Sequence, residues 1–291
     1  MASRVISPLS SGRCQVQPGQ TMAAPRLRAV RVGFLPAALV AVSLGLAQMQ
    51  AAFAPQGGEY APVGTWGGDQ VFSSLSLNAE GGYVVWHDNA TDGAGLGIGA
   101  RRIDASLSGS LSTFRVNKLT AGDQERPQVA MLPDGGAVFV WQGGTVGAQR
   151  IYARFMTASG TFRNEDQRVN AYTGNFQSEP AVAVLADGKV IVVWSSYDQD
   201  GSMLGVYGQR FSATGSKVGG EFRVNQTTEL NQRSPAVAAL PDGGFIVVWV
   251  SESEVGIQNS VDATGQSPET WGGGLNANVH LFARRYAADG T

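Results

Sequence analysis

From Val71 onward the apolar residues fall in short runs bounded by glycine, aspartate or asparagine, the pattern of β-strands joined by tight turns rather than of amphipathic helices. Four of these runs close on a tryptophan: Tyr83-Val84-Val85-Trp86, Val138-Phe139-Val140-Trp141, Val192-Val193-Trp194 and Val247-Val248-Trp249. The tryptophans stand 55, 53 and 55 residues apart, so the chain is read as four repeats of about 54 residues. An acidic-glycine turn precedes each run, at Glu80-Gly81, Asp134-Gly135, Asp187-Gly188 and Asp242-Gly243, a chemistry that supplies positive φ to a hairpin. Ahead of the turn lies another strand, as in Gln128-Val129-Ala130-Met131-Leu132 and Ala181-Val182-Ala183-Val184-Leu185, whose small residues suit an inner position. After the tryptophan a third strand carries arginine before a bulky residue, at Arg102, Arg154, Arg210 and Arg285. A short fourth strand ends in Val-Asn, at Val116-Asn117, Val169-Asn170 and Val224-Asn225. Four antiparallel strands per repeat predict an all-β, β-propeller-like fold.

A glutamine recurs in the links between repeats, at Gln70, Gln124, Gln177 and Gln232, lying 16, 17, 17 and 17 residues before its tryptophan. A buried amide there is expected to satisfy backbone groups of the neighbouring unit. The arginines are expected to pack their stems on tryptophan and to bond carbonyls or acids with their heads. The fourth unit ends after its third strand, at Arg285-Tyr286, and the stretch Glu59 to Val63 aligns with the outer strand Glu221-Phe222-Arg223-Val224-Asn225. Two architectures follow: a ring closed by pairing of the chain's two ends, or a run of units from a longer array.

Composition fits strands and turns, with 39 glycines, 43% hydrophobic and only 15% charged residues among 291. The first 54 residues are different in kind. They hold Arg4, Arg13, Arg26, Arg28 and Arg31 and no acid, and Gly33 to Ala47 is an apolar run. Basic residues followed by such a run are the order of a secretory signal peptide, starting from Met22 and cut between Ala47 and Ala54. The rival reading is a membrane anchor, for which the run is short of the roughly 20 residues a bilayer requires. Residues 55–291 are then the repeat domain, in a secreted, periplasmic or cell-surface protein whose contact with membrane is through the targeting segment. Of 21 basic residues, five lie in the leader, leaving 16 against 23 acids and a formal charge of −7. That balance excludes a nucleic-acid partner. The single cysteine, Cys14, lies in the leader, so the repeats have no disulfide, thiol nucleophile or thiolate metal site.

With these strings laid out, Gly243-Gly244-Phe245-Ile246-Val247-Val248-Trp249 and Gly220-Glu221-Phe222-Arg223-Val224-Asn225 resemble a repeat of large secreted bacterial surface proteins, in which it accompanies calcium-binding RTX or cadherin-like modules. The resemblance implies adhesion, with an extracellular glycan or protein as partner.

Candidate chemistry is sparse. Asp198-Gln199-Asp200-Gly201 spaces two carboxylates as calcium loops do, although a plain Asp/Gly turn reads the same way and no cofactor is otherwise implied. His87 and His280 are the only histidines, and there is no Gly-x-Ser-x-Gly elbow or HExxH helix. From Trp249 to Arg285 the fourth unit advances 36 positions where the others advance 16, 13 and 16. This insertion carries Glu252, Glu254, Asp262 and Trp271, a loop composition suited to binding, with Trp271 as a stacking platform. The favoured expectation is a non-enzymatic binding or adhesion module. The alternative is a propeller-type polysaccharide hydrolase or lyase. The two differ in what lines the ring's axis: repeated small residues for a scaffold, a non-repeating polar cluster for an enzyme.

Overall fold

Every tryptophan run forms the second strand of a four- or three-stranded antiparallel sheet. In the computed structural model, residues 58–59, 61–64, 66–104, 112–252 and 279–290 are described, and all strands lie in one compact unit, Ala61–Thr291. The first sheet holds β1 (Val71–Asn78), β2 (Gly81–Asp88), β3 (Gly97–Asp104) and β4 (Thr113–Arg115). The second holds β5 (Asp123–Met131), β6 (Ala137–Gly144), β7 (Arg150–Met156) and β8 (Gln167–Arg168). The third holds β9 (Gln177–Val184), β10 (Val190–Tyr197), β11 (Leu204–Phe211) and β12 (Lys217–Arg223). The last holds β13 (Gln232–Ala239), β14 (Phe245–Glu252) and β15 (Val279–Tyr286). The four sheets are the blades of a propeller-like fold.

The second strands read as unbroken apolar runs because both their faces are covered. Val138, Phe139, Val140 and Trp141 are all fully buried: Val138 and Val140 pack toward the third blade, Phe139 and Trp141 toward the first. Phe139 alone meets Tyr83, Phe114 and Phe162 edge-on, with centroids 5.4, 6.2 and 6.0 Å away. Truncating such a ring costs about 3–5 kcal/mol. Hairpins between first and second strands close as expected, with Gly81, Gly135, Gly188 and Gly243 at φ of 117°, 80°, 80° and 84°.

Inner strands pack in order, β1 on β5, β5 on β9 and β9 on β13. The row is open among the described residues. Ala61–Val63 include a turn rather than a strand, and Val63 packs on Val84, Trp86 and Ile103 of the first blade. The edge of β15 away from β14 has no partner strand among the described residues, so closure between the chain ends, one of the two architectures considered, is not formed there. Residues 1–54, read from the sequence as a targeting segment, lie outside the described residues, as do Glu254, Asp262 and Trp271 of the insertion.

Candidate functional site

Each blade's link and inner strand obey one local rule. The recurrent glutamine donates its side-chain N–H to the carbonyl three residues upstream: Gln70 to Gly67 (2.9 Å), Gln124 to Ala121 (3.3 Å), Gln177 to Gly174 (3.0 Å) and Gln232 to Glu229 (2.7 Å). It therefore closes its own link. It also reaches across to the preceding blade, since Gln177 Oε1 accepts from Asn170 Nδ2 at 2.9 Å and Gln232 Oε1 from Asn225 Nδ2 at 3.2 Å. Gln124 Oε1 instead accepts from Trp141 Nε1 at 2.9 Å. The asparagines of the Val-Asn strings, read in the sequence only as strand ends, are buried clamps. Asn117, Asn170 and Asn225 accept from the amides of Ile98, Ile151 and Val206 at 2.8, 2.9 and 2.8 Å.

The arginines occupy two registers, not one. Arg102, Arg210 and Arg285 stand opposite Tyr83, Ile191 and Ile246, whereas Arg154 stands opposite Phe139, in the register of Arg101 and Arg284. A shift of one residue in a strand turns the side chain to the other face, so Arg154 does different work. Its guanidinium lies 3.6 Å over the Phe162 ring, not on a tryptophan, and donates to Val116 O at 2.6 Å and Asn164 O at 3.1 Å, with Asp166 3.6 Å away. Arg284 makes the equivalent bond to Val224 O at 3.1 Å. Arg210 bonds the carbonyl of Asp289, and Arg285 pairs with Asp242 at the hairpin.

Two residues past each glutamine the inner strand bulges, and the bulge residue adopts a left-handed conformation: Phe72, Arg126, Glu179 and Ser234, at φ of 52°, 49°, 55° and 53°. Non-glycine residues rarely accept this backbone. The amide of the bulge residue is tied to the preceding blade at the position after its tryptophan. Arg126 N–H donates to His87 Nδ1 (3.2 Å), Glu179 N–H to Gln142 Oε1 (3.0 Å) and Ser234 N–H to Ser195 Oγ (3.2 Å). Backbone and acceptor repeat, but the side chains differ in every blade.

These four residues line one cavity of about 460 Å³, reached by all four inner strands, with Gln128, Pro180 and Pro235 among its other walls. That is a volume suited to a small ligand. Phe72 is half exposed, lies 5.1 Å from the His87 ring, and has the Arg126 guanidinium 4.9 Å over its face. Burial first and the Arg126 charge second hold the His87 imidazole below its ordinary value of 6.5. Three donors converge on Glu179 Oε2: Ser234 N–H (2.9 Å), Ser234 Oγ (3.2 Å) and Ser195 Oγ (3.2 Å). Gln142, which accepts from Glu179 N–H, also donates to Glu125 Oε2 at 3.1 Å, so one amide ties two glutamates at this end of the propeller.

The residues singled out from the sequence lie elsewhere. Asp198 Oδ2 accepts from Asn175 Nδ2 (3.4 Å) and Asp200 Oδ2 from Asn225 Nδ2 (2.9 Å), so the two carboxylates serve different blade contacts. Asp92 repeats the second bond to Asn117 at 2.9 Å in the first blade. Asp200 faces inward, beside Tyr207, whose phenol is pushed up to about 12 by burial and then by the Asp200 charge. Among the described residues no group of three or more His, Cys, Asp or Glu is placed to hold a metal ion. Glu252 pairs with Arg233 at 3.2 Å and accepts from Asn231 at 2.8 Å. No described helix is long and apolar enough to cross a membrane.

No family model and no curated protein matches the chain. Solved structures do. A protein of unknown function from Dyadobacter fermentans is 15% identical with a TM-score of 0.45 over 70% of this chain, which spans about half (51%) of that one. A GH93 α-L-arabinofuranosidase of Fusarium graminearum is 16% identical with a TM-score of 0.48, covering 76% of this chain and 68% of its own. An endo-arabinase from Bacteroides thetaiotaomicron is 13% identical with a TM-score of 0.42, covering 72% of each chain. These similarities concern the fold.

The expectation of a non-enzymatic adhesion module is corrected on the residues. A scaffold was expected to repeat one small or apolar side chain around its axis, and the axial register instead carries Phe, Arg, Glu and Ser.

Proposed function

We propose that the axial pocket is the active site of a propeller-type polysaccharide hydrolase. The observation that carries this reading is the placement of four unlike side chains, Phe72, Arg126, Glu179 and Ser234, at one repeated bulge around one cavity. The bulge belongs to the repeat; its side chains do not, and so they are free for chemistry. Phe72 supplies a ring face on which a sugar stacks. Arg126 supplies donors for hydroxyl groups. Glycosidic hydrolysis takes two carboxyl groups, one giving a proton to the leaving oxygen and one acting on water or on the anomeric carbon. Glu179, oriented through Oε2, is assigned the proton transfer; it is the one carboxyl group among the described residues that line the cavity. A glycan partner and export to the cell surface or beyond belong to the same proposal.

The test is release of reducing ends from a panel of plant and fungal polysaccharides by the full chain and by Glu179→Gln. The variant is expected to lose at least ~100-fold in rate, the order that a general acid contributes, while retaining affinity for the polysaccharide in gel electrophoresis. Equal rates in the two proteins would remove Glu179 from the mechanism. An unsaturated product absorbing in the ultraviolet would replace hydrolysis by elimination.

A further inference from the structure

Three blade junctions inside the chain use the same two surfaces. In each, the back of one sheet, with third-strand residues Ile98, Ile151 or Val206 fully buried, meets the front of the next, led by inner-strand residues such as Val129. Among the described residues the row of blades leaves one of each surface uncovered. On β15, Leu281 stands opposite Val250, the register at which Ile98, Ile151 and Val206 stand opposite His87, Gln142 and Ser195. Leu281 is nevertheless 75% exposed where its three counterparts are 0%. On β1, Leu75 opposite Val84 matches Val129 opposite Phe139, yet Leu75 is 56% exposed and Val129 is 6%. Two apolar sheet surfaces exposed to this extent among the described residues mark an interface.

We propose that two copies of this chain close head to tail, the β15 face of each against the β1 face of the other, into one eight-bladed ring. The occupant follows from continuity with the internal junctions: the uncovered faces are the two halves of the contact the chain already makes three times. A heterologous contact either closes or polymerises. Two rows of four blades give eight, within the usual range of four to eight for such rings. The closing junction differs in one respect. Where internal junctions set a polar side-chain acceptor against the bulge amide, the position after Trp249 is Val250, which offers none to the amide of Phe72. This inference rests on the exposed faces alone and stands whether or not the axial pocket is catalytic.

The experiment is light scattering on size-exclusion chromatography of the full chain between about 1 and 100 μM, with the thermal melt recorded by circular dichroism. A mass twice that of one chain is expected. Leu281→Asp and Leu75→Asp should each raise the dimer Kd at least ~100-fold, since each charge is set into both junctions, with unchanged circular dichroism spectra. Mixing the two variants should restore some dimer, because one junction of the mixed pair is wild type on both faces. A monomer throughout overturns the proposal. So does a dimer that survives Leu75→Asp, which would place like faces together, and so does a mass that grows without limit on concentration, which would leave the ring unclosed.

Discussion

The backbone N–H of Arg126 points at Nδ1 of His87, 3.2 Å away, across the junction of the first two blades. The imidazole must be neutral to accept this bond, and burial together with the Arg126 charge keeps it so by lowering its proton affinity. The sign follows. Unfolded chain takes up the proton below 6.5 while the folded one resists it, so the full stability is present above about 6.5 and is lost as pH falls toward the lowered value. Chemical denaturation between pH 5 and 8 should show this slope, and His87→Gln, which installs the acceptor used by the second blade, should flatten it. A slope unchanged in the variant would assign it to other groups.

Asn170 holds three groups from two blades and the link between them. Its Oδ1 accepts from Ile151 N–H, and its Nδ2 donates to Tyr172 O and Gln177 Oε1 at 2.6 and 2.9 Å. Asn170→Ala leaves a strand amide buried without a partner, a loss of at least about 2 kcal/mol. The urea midpoint should fall with no change in slope, and Asn170→Asp should recover part of it through Oδ1 alone.

Trp141 and Trp194 are both fully buried at equivalent places, but only the first has a partner for its indole N–H, in Gln124 Oε1. Trp194 Nε1 has none among the described residues. Trp141→Phe should accordingly cost about 1 kcal/mol or more beyond Trp194→Phe, because it also orphans the glutamine oxygen. Equal losses in the two variants would mean that volume alone sets the cost.

Arg154 joins the second blade to the first through Val116 O while covering Phe162. Lysine keeps the charge and loses the planar fork, so Arg154→Lys should destabilise by roughly 1–3 kcal/mol. Arg285→Lys, at an exposed hairpin pair, should change the midpoint little.

The repeat was legible because it is written in residues that must recur: a glycine with positive φ at each hairpin, a tryptophan between sheets, a glutamine closing each link. The arginine series was legible as a series and misleading in phase. Arg154 sits one residue away from the register of Arg102, Arg210 and Arg285, and a strand's two-residue period turns so small an offset into the opposite face. The axial residues escaped for the reverse reason. A search for likeness among units passes over the one position where they differ, although its location was signalled by the glutamine two residues before it and the proline after it at Pro127, Pro180 and Pro235. Asp198 and Asp200 drew notice as a pair through spacing, whereas the fold turns each toward a different asparagine.

A left-handed backbone at residues 72, 126, 179 and 234 also restricts what those places can become. Side chains branched at Cβ clash there, which closes the positions to valine, isoleucine and threonine and leaves them open to unbranched, polar or aromatic groups. Any drift in what the pocket recognises is thereby channelled through a reduced alphabet at four addresses, while the sheets that hold them stay as they are.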